Sequence, residues 1–146
     1  MSFKKVNVKL HHLFTQEHGE DPGDGLEIYG RLDVSRLVFN PDIGDNVTLD
    51  AVNLWDRGDN NPQDILEGTA HIIDKQVTLT VSSGEHLWFT GFLSDHDTFG
   101  PNDHLGNIDH KIAFEHIGTR VVDLPRLQEG DQQLDVKIST FVVEQG

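Results

Sequence analysis

This chain predicts an all-β fold, an antiparallel β-sandwich of about eight strands with long acidic loops at one end. Three observations carry the prediction. Apolar and polar residues alternate with period two along most of the chain. No stretch of ten or more residues shows a 3.6-residue period. Clusters of Gly, Pro, Asn and Asp separate the alternating runs, and such clusters mark turns.

The runs follow in order. Val6, Val8, Leu10, His12 and Phe14 alternate with polar neighbours. Leu26, Ile28, Gly30, Leu32 and Val34 do the same, with Glu27, Tyr29, Arg31 and Asp33 on the other face. Val47, Leu49, Ala51 and Asn53 make a third run that ends at Trp55. Val77, Leu79 and Val81 make a fourth, and Leu87, Phe89, Gly91 and Leu93 a fifth. Ile112 with Phe114, and Val121 with Val122, are shorter. Leu134, Val136, Ile138, Thr140 and Val142 close the chain. Each run is expected to give one core face and one outer face. With no linker, internal repeat or low-complexity segment, residues 1–146 read as a single domain.

Composition removes several classes of function. The chain has 25 acidic and 11 basic residues, a formal net charge of −14, which repels nucleic acid. It has no cysteine, so thiol catalysis, disulfides and cysteine zinc sites are excluded. No apolar run approaches the roughly 18 residues of a transmembrane helix. The N-terminus has no apolar h-region, so no signal peptide is visible and the chain is expected to be soluble, cytoplasmic or exported by a non-classical route. Gly-x-Ser-x-Gly, a phosphate loop and His-Glu-x-x-His are all absent, and the chain is read as a non-enzyme. The acids gather at 17–24, 42–45, 56–64 and 95–103, between the alternating runs.

The densest group is Asp95-His96-Asp97-Thr98-Phe99-Gly100-Pro101-Asn102-Asp103-His104-Leu105-Gly106. A helix-loop-helix calcium loop does not fit, since Phe99 stands at the fifth ligand position, Gly106 at the twelfth, and no helices flank it. Nine histidines raise the idea of a transition-metal site, but on strands and loops their spacing fixes no geometry. A glycosidase-type carboxylate pair needs a cleft, and the sequence cannot choose two acids from so many. Arg57-Gly58-Asp59 matches an integrin tripeptide, a pattern too short to be specific.

The segment resembles the third calcium-binding loop of C2 domains. There a strand runs into Asp-x-Asp-x-[Phe/Ile]-[Ser/Gly]-x-[Asn/His]-Asp-x-[Ile/Leu]-Gly. Here the strand Leu87–Ser94 runs into residues 95–106, and every signature position is filled. The remaining runs lie on the same pattern more loosely. The family's Ser-Asp-Pro-Tyr is absent, replaced by Asp24-Gly25-Leu26-Glu27-Ile28-Tyr29, and its basic strand has no counterpart at 40–75. The chain is similar to a divergent C2-like β-sandwich.

The resemblance implies a calcium (Ca2+) site. Asp95, Asp97 and Asp103 would give carboxylates and His96 its backbone carbonyl. Asp21 and Asp24 would close the cup from the first loop, with Glu20 behind them. Phe99 and Pro101 would form the tip that meets a lipid surface or a protein partner. The oligomeric state is not specified. Two alternatives stay open: a calcium-independent structural or interaction domain, part of a larger assembly or toxin, and a carbohydrate-binding β-sandwich with Trp55 or Trp88 in its groove.

Overall fold

The computed structural model describes residues 1–19 and 23–146. Two antiparallel sheets face each other across one apolar core. The strands are β1 (Phe3–His18), β2 (Gly25–Asn40), β3 (Asp45–Arg57), β4 (Gln63–Leu66), β5 (Ala70–Ser82), β6 (His86–Asp95), β7 (Asp103–Ala113), β8 (Arg120–Val121), β9 (Leu127–Glu129) and β10 (Gln132–Gln145). A short 3-10 turn, Phe114–His116, follows β7. One sheet runs β5-β1-β10-β8, with β9 beside β10. The other runs β3-β2-β6-β7, with β4 beside β2.

The predicted sandwich therefore forms, with its alternating runs lengthened into long strands and two short strands, β4 and β9, added. Val6, Val8 and Leu10 from β1 meet Ile28, Leu32 and Val34 from β2 and Leu87, Phe89 and Leu93 from β6, all buried. Leu134 and Ile138 of β10 complete the opposite wall. Burial of this kind stabilises by about 25 cal/mol per Å² of apolar surface.

One expectation about the core fails. Val47, Leu49 and Ala51 alternate, yet this half of β3 is open to solvent and only Leu54 and Trp55 are buried. β3 is an edge strand, and its first half runs in the hairpin with β2 around Phe39 and Ile43, both exposed. Alternation reports the pleat, and the pleat continues where no opposite sheet covers it.

Between β2 and β6 two glycines bring the backbones together. Gly30 pairs with Leu93 and Gly91 with Leu32. Their φ angles are 139° and 152°, and a Cβ on either would meet the facing strand's carbonyl oxygen at about 2 Å. The termini adjoin as well: Phe3 and Gly146 exchange backbone hydrogen bonds of 2.9 and 3.0 Å.

On β10, Asp135 accepts two hydrogen bonds from the Arg126 guanidinium, at 2.7 and 3.2 Å, and one from Gln16 Nε2 at 3.0 Å. Burial pushes its carboxyl up, but the bonds from Arg126 and Gln16 outweigh that and hold it below the ordinary value. A depressed carboxylate contributes stability above its unfolded pKa and loses it as pH falls through the folded value. Asp135→Asn is expected to cost about 1 kcal/mol at pH 7, discounted for the pair's partial exposure. The cost should shrink as pH falls through the ordinary carboxylate range and vanish once pH lies below the depressed folded value, where both states are protonated. Urea midpoints measured from pH 7 down to pH 2.5 check this.

Candidate functional site

The β6–β7 hairpin builds the site. Asp95 ends β6, Asp103 begins β7, and the two are direct cross-strand partners. Like charges directly opposite on a ladder destabilise it. Asp97, in the connecting loop, brings a third carboxylate. One oxygen from each of Asp95, Asp97 and Asp103 lies within 4.8 Å of the other two. At an effective dielectric near 20, each pair at such a separation repels by on the order of 3–4 kcal/mol.

The surrounding residues hold this arrangement in place. Asp95 is only 1% exposed, and its Oδ1 accepts the Glu27 backbone N–H at 2.7 Å. The His96 N–H reaches the Glu27 carbonyl at 2.8 Å, which ties the start of the loop to β2. Asn102 braces the loop from within. Its Oδ1 accepts the Asp97 N–H at 2.9 Å, while its Nδ2 donates to Tyr29 Oη at 3.2 Å and to Asp59 Oδ1 at 3.1 Å. The His96 ring also bonds to Asp59 through Nδ1.

Sequence reasoning passed over Gln132. It is 4% exposed, and its Nε2 donates to Asp103 Oδ2 at 3.1 Å and to Asp95 Oδ2 at 3.3 Å. A signal for it existed. Leu134, Ile138 and Thr140 face inward at even positions of β10, and the same parity carried back reaches Gln132. Tyr29 and Asn102 were likewise unassigned, and Asp59, noted only as part of an acidic loop, proves to be a fixed partner of the hairpin loop.

The predicted residues thus divide. Asp95, Asp97 and Asp103 come together. Asp24 is not a member of that group. Its carbonyl accepts the Glu67 N–H at 2.9 Å, and it lines a separate open cleft with Asp64 and Leu66. Gly25, the next residue, pairs with Leu66 of β4 on the edge of β2 opposite β6. Asp21 and Glu20 lie outside the described residues. His96 stands beside the cluster, its ring turned to Asp59. Phe99 is 93% exposed at the loop tip, and Pro101 is exposed next to it.

Two further readings change. Trp55 is 8% exposed and belongs to the core, so it cannot wall a groove. Trp88, the other groove candidate, stays outside the core. It lies on the outer face of its sheet, between the buried Leu87 and Phe89, with Nε1 donating to Asp109 at 2.6 Å and Lys111 over its ring. In Arg57-Gly58-Asp59 both charged side chains are engaged within the chain. Arg57 donates to Gln63 at 2.8 Å, and Asp59 bonds His96 and Asn102.

Nearby, Glu67 accepts the His18 N–H at 3.0 Å and bonds the His18 ring at 3.1 Å. The backbone bond first, and the ring second, hold its carboxyl below the ordinary value. No helix among the described residues is long and apolar enough to cross a membrane.

The chemistry of the donor set fits calcium. Oxygens bound to one ion at about 2.3–2.6 Å can lie up to roughly 5 Å apart, and all three carboxylates satisfy that limit. Hard oxygen ligands, with no sulfur and no imidazole nitrogen among them, match calcium better than zinc or copper.

No family model matches the chain, and no curated protein matches it. Solved structures do. Human GIVD cytosolic phospholipase A2, in complex with methyl gamma-linolenyl fluorophosphonate, is 12% identical with a TM-score of 0.44; the match covers 99% of this chain and 18% of that one. A C2 domain of plant Extended Synaptotagmin 1, the one lettered A, is 11% identical with a TM-score of 0.44, over 97% of this chain and 96% of that one. This chain therefore spans less than a fifth of the phospholipase's length. The second structure belongs to the family that the 95–106 loop resembles. At these scores neither likeness carries an argument about function, and the antiparallel β-sandwich rests on the chain's own two sheets.

Proposed function

We propose that this chain is a calcium-binding C2-like module, a non-enzyme that attaches to a lipid surface when calcium occupies its acidic end. The observation that carries the reading is the convergence of Asp95, Asp97 and Asp103 beneath an exposed aromatic tip. A sandwich needs no such convergence to fold, and facing carboxylates work against the hairpin that holds them. Calcium would be held by these three acids, removing their mutual repulsion and cancelling negative charge at the tip. Phe99 then has an apolar ring to offer the interface, and Leu66 stands exposed at the same end of the sandwich. The loop from 95 to 103 contains no Lys or Arg, so the ion itself would bridge to anionic headgroups.

A second reading has its own support. Asp95 and Asp103 already receive N–H bonds from Glu27 and Gln132, so the acids could serve as a structural clasp in a calcium-independent interaction domain.

Co-sedimentation with phosphatidylserine–phosphatidylcholine vesicles separates the two. The intact chain should sediment in about 1 mM calcium and stay in solution in chelator, at concentrations suited to weak extracellular-type sites. Asp95→Asn/Asp97→Asn should abolish sedimentation. Phe99→Ala should lose it while keeping calcium-dependent stabilisation. Calcium-dependent stabilisation without sedimentation would redirect the search to a protein partner. No calcium response of either kind would leave the structural clasp.

A further inference from the structure

We infer that Gln132 occupies the cation's place when the acidic end is calcium-free, and that its amide must withdraw for calcium to enter; this rests on the calcium reading above. Ionised carboxylates only accept hydrogen bonds, so the NH2 end is the one face of the amide that they can use. That end lies 3.1 Å from Asp103 Oδ2 and 3.3 Å from Asp95 Oδ2. A single neutral nitrogen thus binds the two facing acids that a cation would bridge.

Its position makes it a competitor. Gln132 belongs to the sheet opposite Asp95 and Asp103, so its side chain crosses the end of the sandwich to reach them. The backbone is fixed by its pairing with Glu129 on β9 and with His18 on β1. Movement is left to the side chain, whose last torsion is soft. An NH2 group carries positive charge density on its hydrogens, and seated between the two carboxylates it opposes a cation that would bridge the same pair. Binding therefore exchanges two N–H···O bonds for ion contacts, and Gln132 raises the calcium concentration at which that exchange occurs.

The test compares thermal midpoints of the intact chain, Gln132→Met and Gln132→Glu, each in EDTA and in 10 mM calcium. Methionine keeps the length and burial but removes the donor. The expected result is a lower midpoint in EDTA for both variants and a calcium-dependent rise larger than in the intact chain, largest for Gln132→Glu. A fall equal in both conditions would overturn the proposal, because Gln132 would then be structural only. A smaller rise in Gln132→Met would overturn it too, marking the amide as a ligand. Should neither variant fold, the intact protein still decides. The Gln132 side-chain 15N–1H pair should move on calcium addition, and an unmoved pair overturns the inference. If the intact chain shows no calcium response at all, the calcium reading itself fails and takes this inference with it. A responsive chain with an unchanged increment in the variants removes the inference alone.

Discussion

Gly91→Ala is expected to lower the thermal midpoint by about 10 °C or more. A Cβ at this position would stand 1.9 Å from the Arg31 carbonyl oxygen, an atom that belongs to the neighbouring backbone and cannot rotate aside. Gly91 also has a φ of 152°, which side chains rarely adopt. The strand pair must separate or the residue must change conformation. Either outcome disturbs the β2–β6 ladder at the middle of its sheet. Backbone strain of this kind costs about 1–3 kcal/mol, and the broken ladder adds to it, for a total of about 4 kcal/mol. At about 2–4 °C per kcal/mol for a chain near this size, the shift is about 10–15 °C. Gly84→Ala is the control. Gly84 has a φ of 87° but nothing within 4 Å of its added Cβ, so only the strain applies. Circular dichroism melts of the two variants check the claim. Equal losses would show that the close approach does not constrain the fold.

Calcium is expected to raise the midpoint of EDTA-stripped protein by about 5–10 °C at 10 mM. For a dissociation constant of about 0.1 mM, that concentration is a hundredfold excess, worth about 2.7 kcal/mol. The same conversion to temperature gives the range. Magnesium should produce little rise, because it demands a tighter octahedron and sheds water reluctantly. In Asp95→Asn/Asp97→Asn the rise should disappear, since two of the three converging carboxylates are neutral. Calorimetry over a calcium titration measures all three. A flat midpoint in the intact chain would remove calcium from the account of this site.

Much of the fold is legible where burial and pleat agree. β1, β2, β6 and β10 were all visible as alternation, because each has a covered face along most of its length. β7 was caught only at its end. The register skips Leu105 between the Leu93–Gly106 and Ser94–His104 pairs, so Leu105 and Ile108 both face inward at odd spacing. A bulge breaks the parity on which the reading depends. β4 and β9 span four and three residues, too short for any period to show, and β8 was visible only as the Val121–Val122 pair.

The site divides in the same way. Asp95, Asp97 and Asp103 lie on one hairpin, so their convergence follows from local spacing. Asp59, Tyr29 and Gln132 come from three other parts of the chain and meet the hairpin only through tertiary packing. Asp24 shows the limit from the other side. It was readable as an acid in a loop, but it stands outside the three-carboxylate group, and no local signal gave that placement.

The paired termini have a practical consequence. Phe3 and Gly146 are joined at one end of β1, while His18, at the other end of that strand, pairs with Gln132. Fifteen steps along a strand at about 3.3 Å each put roughly 50 Å between the two ends. A tag, a fusion or a sensor surface coupled through either terminus would hold the protein by its foot. The acidic tip would face outward, clear of the support, for both orientations of attachment.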